Sequence, residues 1–156
     1  MALRTAGLAG SAEDLELARL LLREYAASLD VDLCFQGFEQ ELERLASDYG
    51  PPQGAFLFAE EGGVAVGCVA VRRHAEGVAE LKRLYVRPAA RGQGLGRRLA
   101  EAMIAEARQL GYQCVVLDTL PSMHAARALY GALGFRPTTA YRLNPVAGTV
   151  YLELVL

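Results

Sequence analysis

The spacing of apolar residues divides the chain of 156 residues into predicted helices and strands. Leu17, Leu21 and Tyr25 recur at intervals of four, which predicts an amphipathic helix that begins after Ser11. The same periodicity predicts helices over residues 38–49, 95–110 and 123–133. Short apolar runs bounded by turn residues predict strands over residues 2–6, 55–60, 64–72, 78–87, 114–117, 135–143 and 149–155.

The lengths of the connections predict the topology. Turns at residues 61–63 and 74–77 are too short for a crossover, so the three strands that they join must be antiparallel. The strand–helix–strand segment over residues 78–117 is long enough for a right-handed parallel crossover. The sequence therefore predicts a single mixed α/β (α+β) domain over residues 1–156.

Composition and charge argue against several classes of protein. The net charge of −2 disfavours a general nucleic-acid binder, and no apolar stretch reaches the roughly 18–20 residues of a membrane span. Cys34, Cys68 and Cys114 form no C-x-x-C pair, which disfavours a disulfide framework and a metal site. Because the N-terminus also lacks the pattern of a secretory signal, we expect a cytoplasmic protein.

A glycine-rich segment follows the strand predicted at residues 78–87. Gly92, Gly94 and Gly96 lack a Cβ, so successive N–H groups can point inward and join the open N–H groups of the following helix as an anion site. No acidic residue lies between Leu81 and Ala100. This positive stretch in a net acidic chain indicates a small polyanionic ligand, and its cations are Lys82, Arg83, Arg87, Arg91, Arg97 and Arg98.

Two well-known phosphate motifs do not fit this segment. A P-loop requires Gly-Lys-Ser/Thr, and Gly96 is followed by Arg97. A Rossmann fingerprint requires a further glycine three residues on, where the chain has Leu99. From spacing alone, an ordinary solvated glycine turn remains an alternative.

Two motifs resemble those of the GNAT acyltransferase superfamily. Residues 91–96 match its Q/R-x-x-G-x-G/A signature, and residues 80–88 resemble its fourth strand. Residues 128–137 resemble its second motif, L-Y-x-x-x-G-F, at the correct distance of one helix and one strand. The resemblance covers nearly the whole chain, and it implies a mostly antiparallel sheet of about seven strands flanked by about four helices.

The resemblance implies that acetyl-coenzyme A is the acyl donor. Backbone amides of residues 91–97 would bind the pyrophosphate, and the preceding strand, which splays from its neighbour at a bulge, would bind the pantetheine arm. Met123 stands where the family often has asparagine. The implied cofactor contacts are Leu84, Tyr85, Val86, Arg91, Gly92, Gln93, Gly94, Leu95, Gly96, Arg97, Met123, Ala126 and Tyr130.

Acyl transfer from a thioester to an amine needs a neutral amine, a stabilised oxyanion and a protonated thiolate. By resemblance, Tyr130 is the expected acid, with its hydroxyl in a solvated cleft, and the N–H of Leu84 is the expected oxyanion donor. Glu80 is the expected base through water, because period-two alternation predicts that it shares a strand face with Leu84. A packed aromatic and a solvated carboxylate are the alternatives for Tyr130 and Glu80.

The expected acceptor is the primary amine of a small molecule. Phe35 and Phe38 are candidates to line an apolar pocket, with core packing as the alternative, and Arg83 and Arg142 are candidates to bind a carboxylate. Two non-catalytic alternatives remain, an acyl-coenzyme A-binding or sensor domain and a phosphate-binding interaction module. The apolar closing strand at residues 150–155 is a candidate to pair across a homodimer.

Overall fold

The computed structural model describes residues 1–29 and 37–156. The elements in chain order are β1 (Ala2–Thr5), α1 (Ala12–Ala27), α2 (Phe38–Glu43), α3 (Leu45–Asp48), β2 (Ala55–Glu61), β3 (Val64–Ala75), β4 (Val78–Val86), a short 3₁₀ helix (Pro88–Ala90), α4 (Leu95–Gln109), β5 (Cys114–Thr119), α5 (His124–Ala132), β6 (Arg136–Pro137) and β7 (Val150–Val155). The strands form one sheet in the order β1-β2-β3-β4-β5-β7-β6.

The sheet has the predicted connectivity. Antiparallel pairings join β1 to β2, β2 to β3 and β3 to β4, as the short turns require. β4 then pairs in parallel with β5 across α4, so the predicted crossover is confirmed. β7 returns antiparallel to β5 and carries β6 on its other side. The mixed, mostly antiparallel sheet of seven strands is therefore confirmed.

The two faces of the sheet bury separate hydrophobic cores. On one face, α4 packs Leu99 and Met103 against strand residues that include Leu81. On the other face, α1, α2 and α3 cover strand residues such as Phe58, with Leu21 fully buried between them. Alternate residues of the central strands point to opposite cores, so β4 is covered on both sides.

Several predicted elements differ in extent from those observed. The helix predicted over residues 38–49 is divided at Arg44, where φ and ψ leave the helical region. The strand predicted over residues 135–143 is reduced to Arg136–Pro137, because Tyr141 and Arg142 turn inward toward a buried carboxylate. The last helix begins at His124, one residue later than predicted. No helix in the described ranges is long and apolar enough to cross a membrane.

Strand β4 carries a bulge at Arg83, whose φ is +60°. Between its pairings with Cys68 and Ala70 of β3, β4 has one residue more than its partner. The extra residue reverses the alternation of side chains along the strand. Leu84 consequently packs on the α4 core, whereas Glu80 lies among charged groups on the other face. The predicted placement of Glu80 and Leu84 on one face is therefore wrong.

The parallel strands β4 and β5 separate after a short paired stretch. Their register ends at Glu80 and Val116. Both strands continue beyond this point, to Val86 and Thr119 respectively. This separation agrees with the splay that the resemblance implies, and it opens a cleft in the sheet beside the glycine-rich loop.

Candidate active site

A cleft of about 660 Å³, here called the outer cleft, lies between the end of β4, the glycine-rich loop and the start of α5. Gln93 is exposed and lies outside the described lining, although it was among the predicted cofactor contacts. The other predicted contacts, except Tyr130, line the cleft: Leu84, Tyr85, Val86, Arg91, Gly92, Gly94, Leu95, Gly96, Arg97, Met123 and Ala126. The fold thus brings two distant sequence motifs to one surface.

The loop presents backbone amides to the outer cleft. Gly92 and Gly94 have φ values of 83° and 77°, a left-handed conformation that glycine adopts without strain. Gly94 is the N-cap of α4, whose first turn has no acidic residue. Within the described part of the chain, the amides of residues 92–97 have no acceptor, and the first bond of the helix runs from the Arg98 N–H to the Gly94 carbonyl. These open donors form an anion site at the positive end of the helix dipole.

Three of the six cations predicted to surround this anion site are turned away from it. Arg83 and Arg87 each form a two-bond ion pair with a glutamate from the helices that cover β4, and the side chain of Lys82 is 3% exposed. Arg91 and Arg97 remain at the cleft. The glutamates are Glu41, at 2.8 and 3.1 Å from Arg83, and Glu24, at 2.9 and 2.7 Å from Arg87. The backbone donors therefore carry more of the anion site than the charge count implied.

A smaller space of about 50 Å³, here called the inner chamber, adjoins the outer cleft. The two spaces share the wall residues Tyr25, Leu29, Leu84, Met123 and Ala126. Beyond this shared wall, the inner chamber is lined by Leu81, Leu120 and the ion-paired Arg83, and by further polar groups that can bond to a substrate. These polar residues are Lys82, Asp118, Thr119, Tyr130 and Asn144. A ligand held in the outer cleft can therefore reach a polar recess beside the β4 bulge.

Tyr130 lies in the wall of the inner chamber. The residue is 5% exposed, and its ring packs edge-on against Phe135 with the ring centroids 5.5 Å apart. The expectation of a hydroxyl in a solvated cleft is therefore wrong, because α5 packs this side chain into the α4 core. Burial raises the pKa of Tyr130, so the phenol stays protonated at neutral pH and can donate a hydrogen bond.

Glu80 is held in a buried cluster of charges. It is 2% exposed and accepts hydrogen bonds from Arg72 Nε at 3.1 Å and from the Tyr141 hydroxyl at 2.8 Å. Lys82 and Arg142 approach the same carboxylate at 3.9 and 3.6 Å. Burial raises the pKa of Glu80, but these cations outweigh it and bring the pKa below its ordinary 4.5. A carboxylate stabilised in this way is a weak base. Glu80 also lies outside the described lining of the inner chamber. Both observations count against its predicted role as the general base.

The predicted acceptor-binding residues do not form a carboxylate site. Phe38 is buried in the core beneath α1, with the Arg83 guanidinium 5.5 Å from its ring centre, so core packing is the observed role. Arg83 is committed to its ion pair. Arg142 lies between two carboxylates at 3.6 and 3.7 Å. Phe35 lies outside the described residues.

Sequence reasoning missed several residues of the inner chamber. Tyr25 was assigned to the apolar face of its helix and Lys82 to an anion-binding stretch, and Asp118 was given no catalytic role. All three line the chamber. The signal that could have identified Lys82 is its position inside a strand that helices were predicted to cover, since a buried charge needs a partner or a function. In the described ranges, no three His, Cys, Asp or Glu side chains are grouped as a metal site.

The fold and both motifs define the class of protein. The model of the Acetyltransferase (GNAT) family matches residues 17–135. This stretch includes the β4 bulge, the glycine-rich loop, α4, β5 and the helix that carries Tyr130. The chain belongs to the Acetyltransferase (GNAT) family.

Individual relatives agree with this assignment. An uncharacterised N-acetyltransferase of Schizosaccharomyces pombe is 42% identical over 144 residues, which cover 91% of this chain and 88% of that protein. A crystal structure from Klebsiella pneumoniae subsp. pneumoniae, assigned as an acyl-CoA N-acyltransferase, is similar with a TM-score of 0.74 at 30% identity, over 99% of this chain and 97% of that one. A Salmonella typhimurium protein assigned as an acetyltransferase, solved with its cofactor acetyl-CoA, has the same fold with a TM-score of 0.69 at 23% identity, over 99% and 92%.

Proposed function

We propose that the protein is an N-acetyltransferase that moves an acetyl group from acetyl-coenzyme A directly to the primary amine of a small molecule in a ternary complex. The observation that carries the proposal is the junction of the two spaces at Leu84, with an anion site along one and polar groups along the other. The family assignment and the acetyl-CoA bound to the Salmonella neighbour support the choice of donor.

The residues of the outer cleft fit a coenzyme A thioester. The pyrophosphate would bind the amides of residues 92–97, which have no acceptor within the described residues. The pantetheine arm would bond the backbone of β4 at residues 84–86, beyond the last pairing with β5. Gly96 has no side chain to obstruct this approach, and Met123 and Ala126 present apolar surface opposite.

The residues at the junction can supply two of the three requirements of acyl transfer, namely a stabilised oxyanion and a protonated thiolate. Leu84 lies at the bulge without a register partner on β3 or β5, so its N–H is the candidate donor to the oxyanion. Tyr130 is the candidate hydrogen-bond donor to the departing thiolate, since its raised pKa keeps it protonated. Direct transfer needs no protein nucleophile, and holding both reactants in adjoining spaces supplies the orientation.

The size of the inner chamber favours a slender acceptor. Its volume of about 50 Å³ corresponds to a few water molecules. A methylene carrying a terminal amine fits this space more readily than a branched or secondary amine. We therefore expect the acceptor to present an unhindered primary amine. Arg83 gives no support for a carboxylate on the acceptor, because its guanidinium is paired with Glu41.

The test is release of coenzyme A thiol with a panel of amines that includes amino acids, polyamines, amino sugars and peptide N-termini. We expect release with small unhindered primary amines and much slower release with their N-methyl analogues. Calorimetric titration with acetyl-coenzyme A on the same protein tests the donor independently. Tight binding without release for any amine would favour the sensor-domain alternative, and absence of binding would overturn the donor assignment.

A further inference from the structure

Lys82 is the only lysine among the sixteen lysine and arginine residues of the chain. Its cationic neighbours Arg72, Arg83 and Arg142 all carry a guanidinium, which stays protonated at every pH at which the protein is folded. A lysine ammonium, in contrast, loses its proton readily when it is buried. The one ammonium side chain of the protein therefore lies in the wall of the inner chamber.

The position of Lys82 suits contact with an acceptor amine. The residue precedes the β4 bulge, and its side chain is 3% exposed. Its Nζ lies 3.9 Å from Glu80 Oε2, longer than a hydrogen bond, and it donates to no acceptor among the described residues. Tyr130 and Leu84, the candidate thiolate and oxyanion donors, line the same chamber. A base, an oxyanion donor and an acid thus border one small space.

Charged groups from every neighbouring element act on Lys82. Burial is the main reason that the pKa of Lys82 falls to about 7, and Arg83 is the next. Glu80 opposes this shift, whereas Arg142 and Arg72 add to it. The groups around the site are Glu80 and Arg83 on β4, Arg72 on β3, Glu41 on α2, Asp118 on β5, Tyr130 on α5, Tyr25 on α1, and Tyr141 and Arg142 on the segment before β7.

We propose that Lys82 is the general base that removes a proton from the acceptor ammonium. This inference rests on the proposed function. The N–H bond of the ammonium breaks, and its proton moves to the neutral Nζ. The amine then attacks the acetyl carbonyl, forming the C–N bond. As the C–S bond breaks, the second nitrogen proton goes to the thiolate, with Tyr130 as hydrogen-bond donor. The products are an amide and coenzyme A thiol, and Lys82 returns its proton to solvent.

Lys82 meets the two requirements of a general base that Glu80 does not, a pKa near the working pH and a place in the chamber wall. A base works best when the pKa of its conjugate acid lies near the working pH. The pKa of Glu80 is held below 4.5 by its cationic neighbours, and Glu80 lies outside the described lining of the chamber. Glu80 is instead a positioning residue, because its charge moderates the effect of the surrounding arginines on Lys82.

A direct titration tests the protonation state without any knowledge of the acceptor. Protein labelled with ¹³C at lysine Cε gives one side-chain signal, because the chain has one lysine, and loss of the signal in Lys82→Arg assigns it. The expected midpoint is about 7. A midpoint near the ordinary lysine value of about 10.4 would overturn the proposal, whether or not the protein proves to be an acetyltransferase.

Kinetics test the role itself. For wild type, kcat/KM should fall as pH drops through about 7, and this midpoint should stay fixed when the acceptor is replaced by one of different amine pKa. Lys82→Met and Lys82→Arg should each lower kcat by roughly 10²–10⁴ and abolish that midpoint, with acetyl-coenzyme A affinity unchanged. Arg73→Met, which removes an exposed cation from β3, is the matched control and should resemble wild type.

Three kinetic outcomes would contradict the base role. Activity of Lys82→Met close to that of wild type would exclude it. A raised acceptor KM at unchanged kcat would show that Lys82 binds the acceptor instead. Accumulation of acetyl-Lys82 during turnover, detected by mass spectrometry, would show that Lys82 is an acceptor and not a base. If the wild-type protein releases no thiol with any amine, the proposed function is overturned instead. The titration result for Lys82 does not depend on that outcome.

Discussion

Gly96 is the position at which binding of the cofactor can be separated from folding. It is the second residue of α4, and unlike Gly92 and Gly94 it does not have a positive φ. A Cβ built on Gly96 would meet only Leu129 Cδ2, at an ordinary 3.8 Å. Replacing glycine within a helix by a better helix former adds about 0.5–1 kcal/mol to the free energy of unfolding. We therefore expect Gly96→Gln and Gly96→Glu to fold at least as well as wild type.

The two variants should differ in their affinity for acetyl-coenzyme A, because they have side chains of nearly equal size and different charge. A carboxylate placed about 5 Å from a phosphate charge is repelled by about 0.8 kcal/mol in a water-like dielectric and by about 3 kcal/mol in that of a protein surface. For the two charges of a pyrophosphate, the lower figure gives about 1.6 kcal/mol, or at least about tenfold in Kd. The Glu variant should therefore bind at least about tenfold more weakly than the Gln variant.

The assay is calorimetric titration of both variants with acetyl-coenzyme A at low and high salt. The ratio of their Kd values should shrink toward one at about 1 M salt, where the Debye length falls to about 3 Å. Gly94→Ala is the folding control, because its φ of 77° should cost about 1–2 kcal/mol of stability on substitution. Equal Kd values for Gln and Glu at low salt, with both variants folded, would refute the pyrophosphate site on this loop.

Three further predictions concern buried groups. Tyr130→Phe should lower kcat by roughly 10²–10⁴, with unchanged affinity for acetyl-coenzyme A and little change in Tm. If the variant keeps the kcat of wild type while the chemical step is rate-limiting, Tyr130 has no part in the mechanism. Glu41→Gln should cost about 3–5 kcal/mol in urea unfolding, because it leaves the Arg83 guanidinium buried without its anion, and the double variant Glu41→Leu/Arg83→Met should recover part of this loss. In the folded protein the pKa values of Glu41 and Glu80 lie below the ordinary 4.5. The contribution of these two carboxylates to the free energy of unfolding is therefore complete above about pH 4.5 and is lost as the pH falls through their folded pKa values. Urea midpoints that stay constant between about pH 5 and pH 2 would contradict this third prediction.

The sequence predicted most of the fold because the relevant signals are local. Turn lengths determined which strands had to be antiparallel, and the strand–helix–strand segment over residues 78–117 determined the parallel crossover. The glycine-rich loop was also predicted correctly as a turn that leads into a helix, since alternating glycines allow the backbone to bend there. Gly92 and Gly94 indeed have the positive φ values that such a turn requires.

The charges of the site were not predictable in the same way, because their partners are distant along the chain. Glu41 lies 42 residues before Arg83, and Glu24 lies 63 residues before Arg87. The sequence alone therefore assigned both arginines to a polyanionic ligand, and Arg83 also to an acceptor carboxylate. The β4 bulge was equally hidden, because one added residue leaves the apolar pattern of the strand nearly intact while it reverses the faces beyond Arg83.

The same bulge makes β4 intolerant of changes in length. Deleting the codon for Arg83 would restore regular alternation with Leu84 and Tyr85 on their present, opposite faces, but it would leave Glu41 buried without its cation. Gly67 on β3 adds to this constraint, since a Cβ there would stand 2.8 Å from the Tyr85 carbonyl oxygen. The hairpin at residues 61–63 is constrained only by the positive φ of its glycines, because a Cβ on Gly62 or Gly63 meets nothing within 4 Å. Among homologous chains, insertions and deletions should accordingly collect in the hairpins and avoid the segment from Glu80 to Gly94.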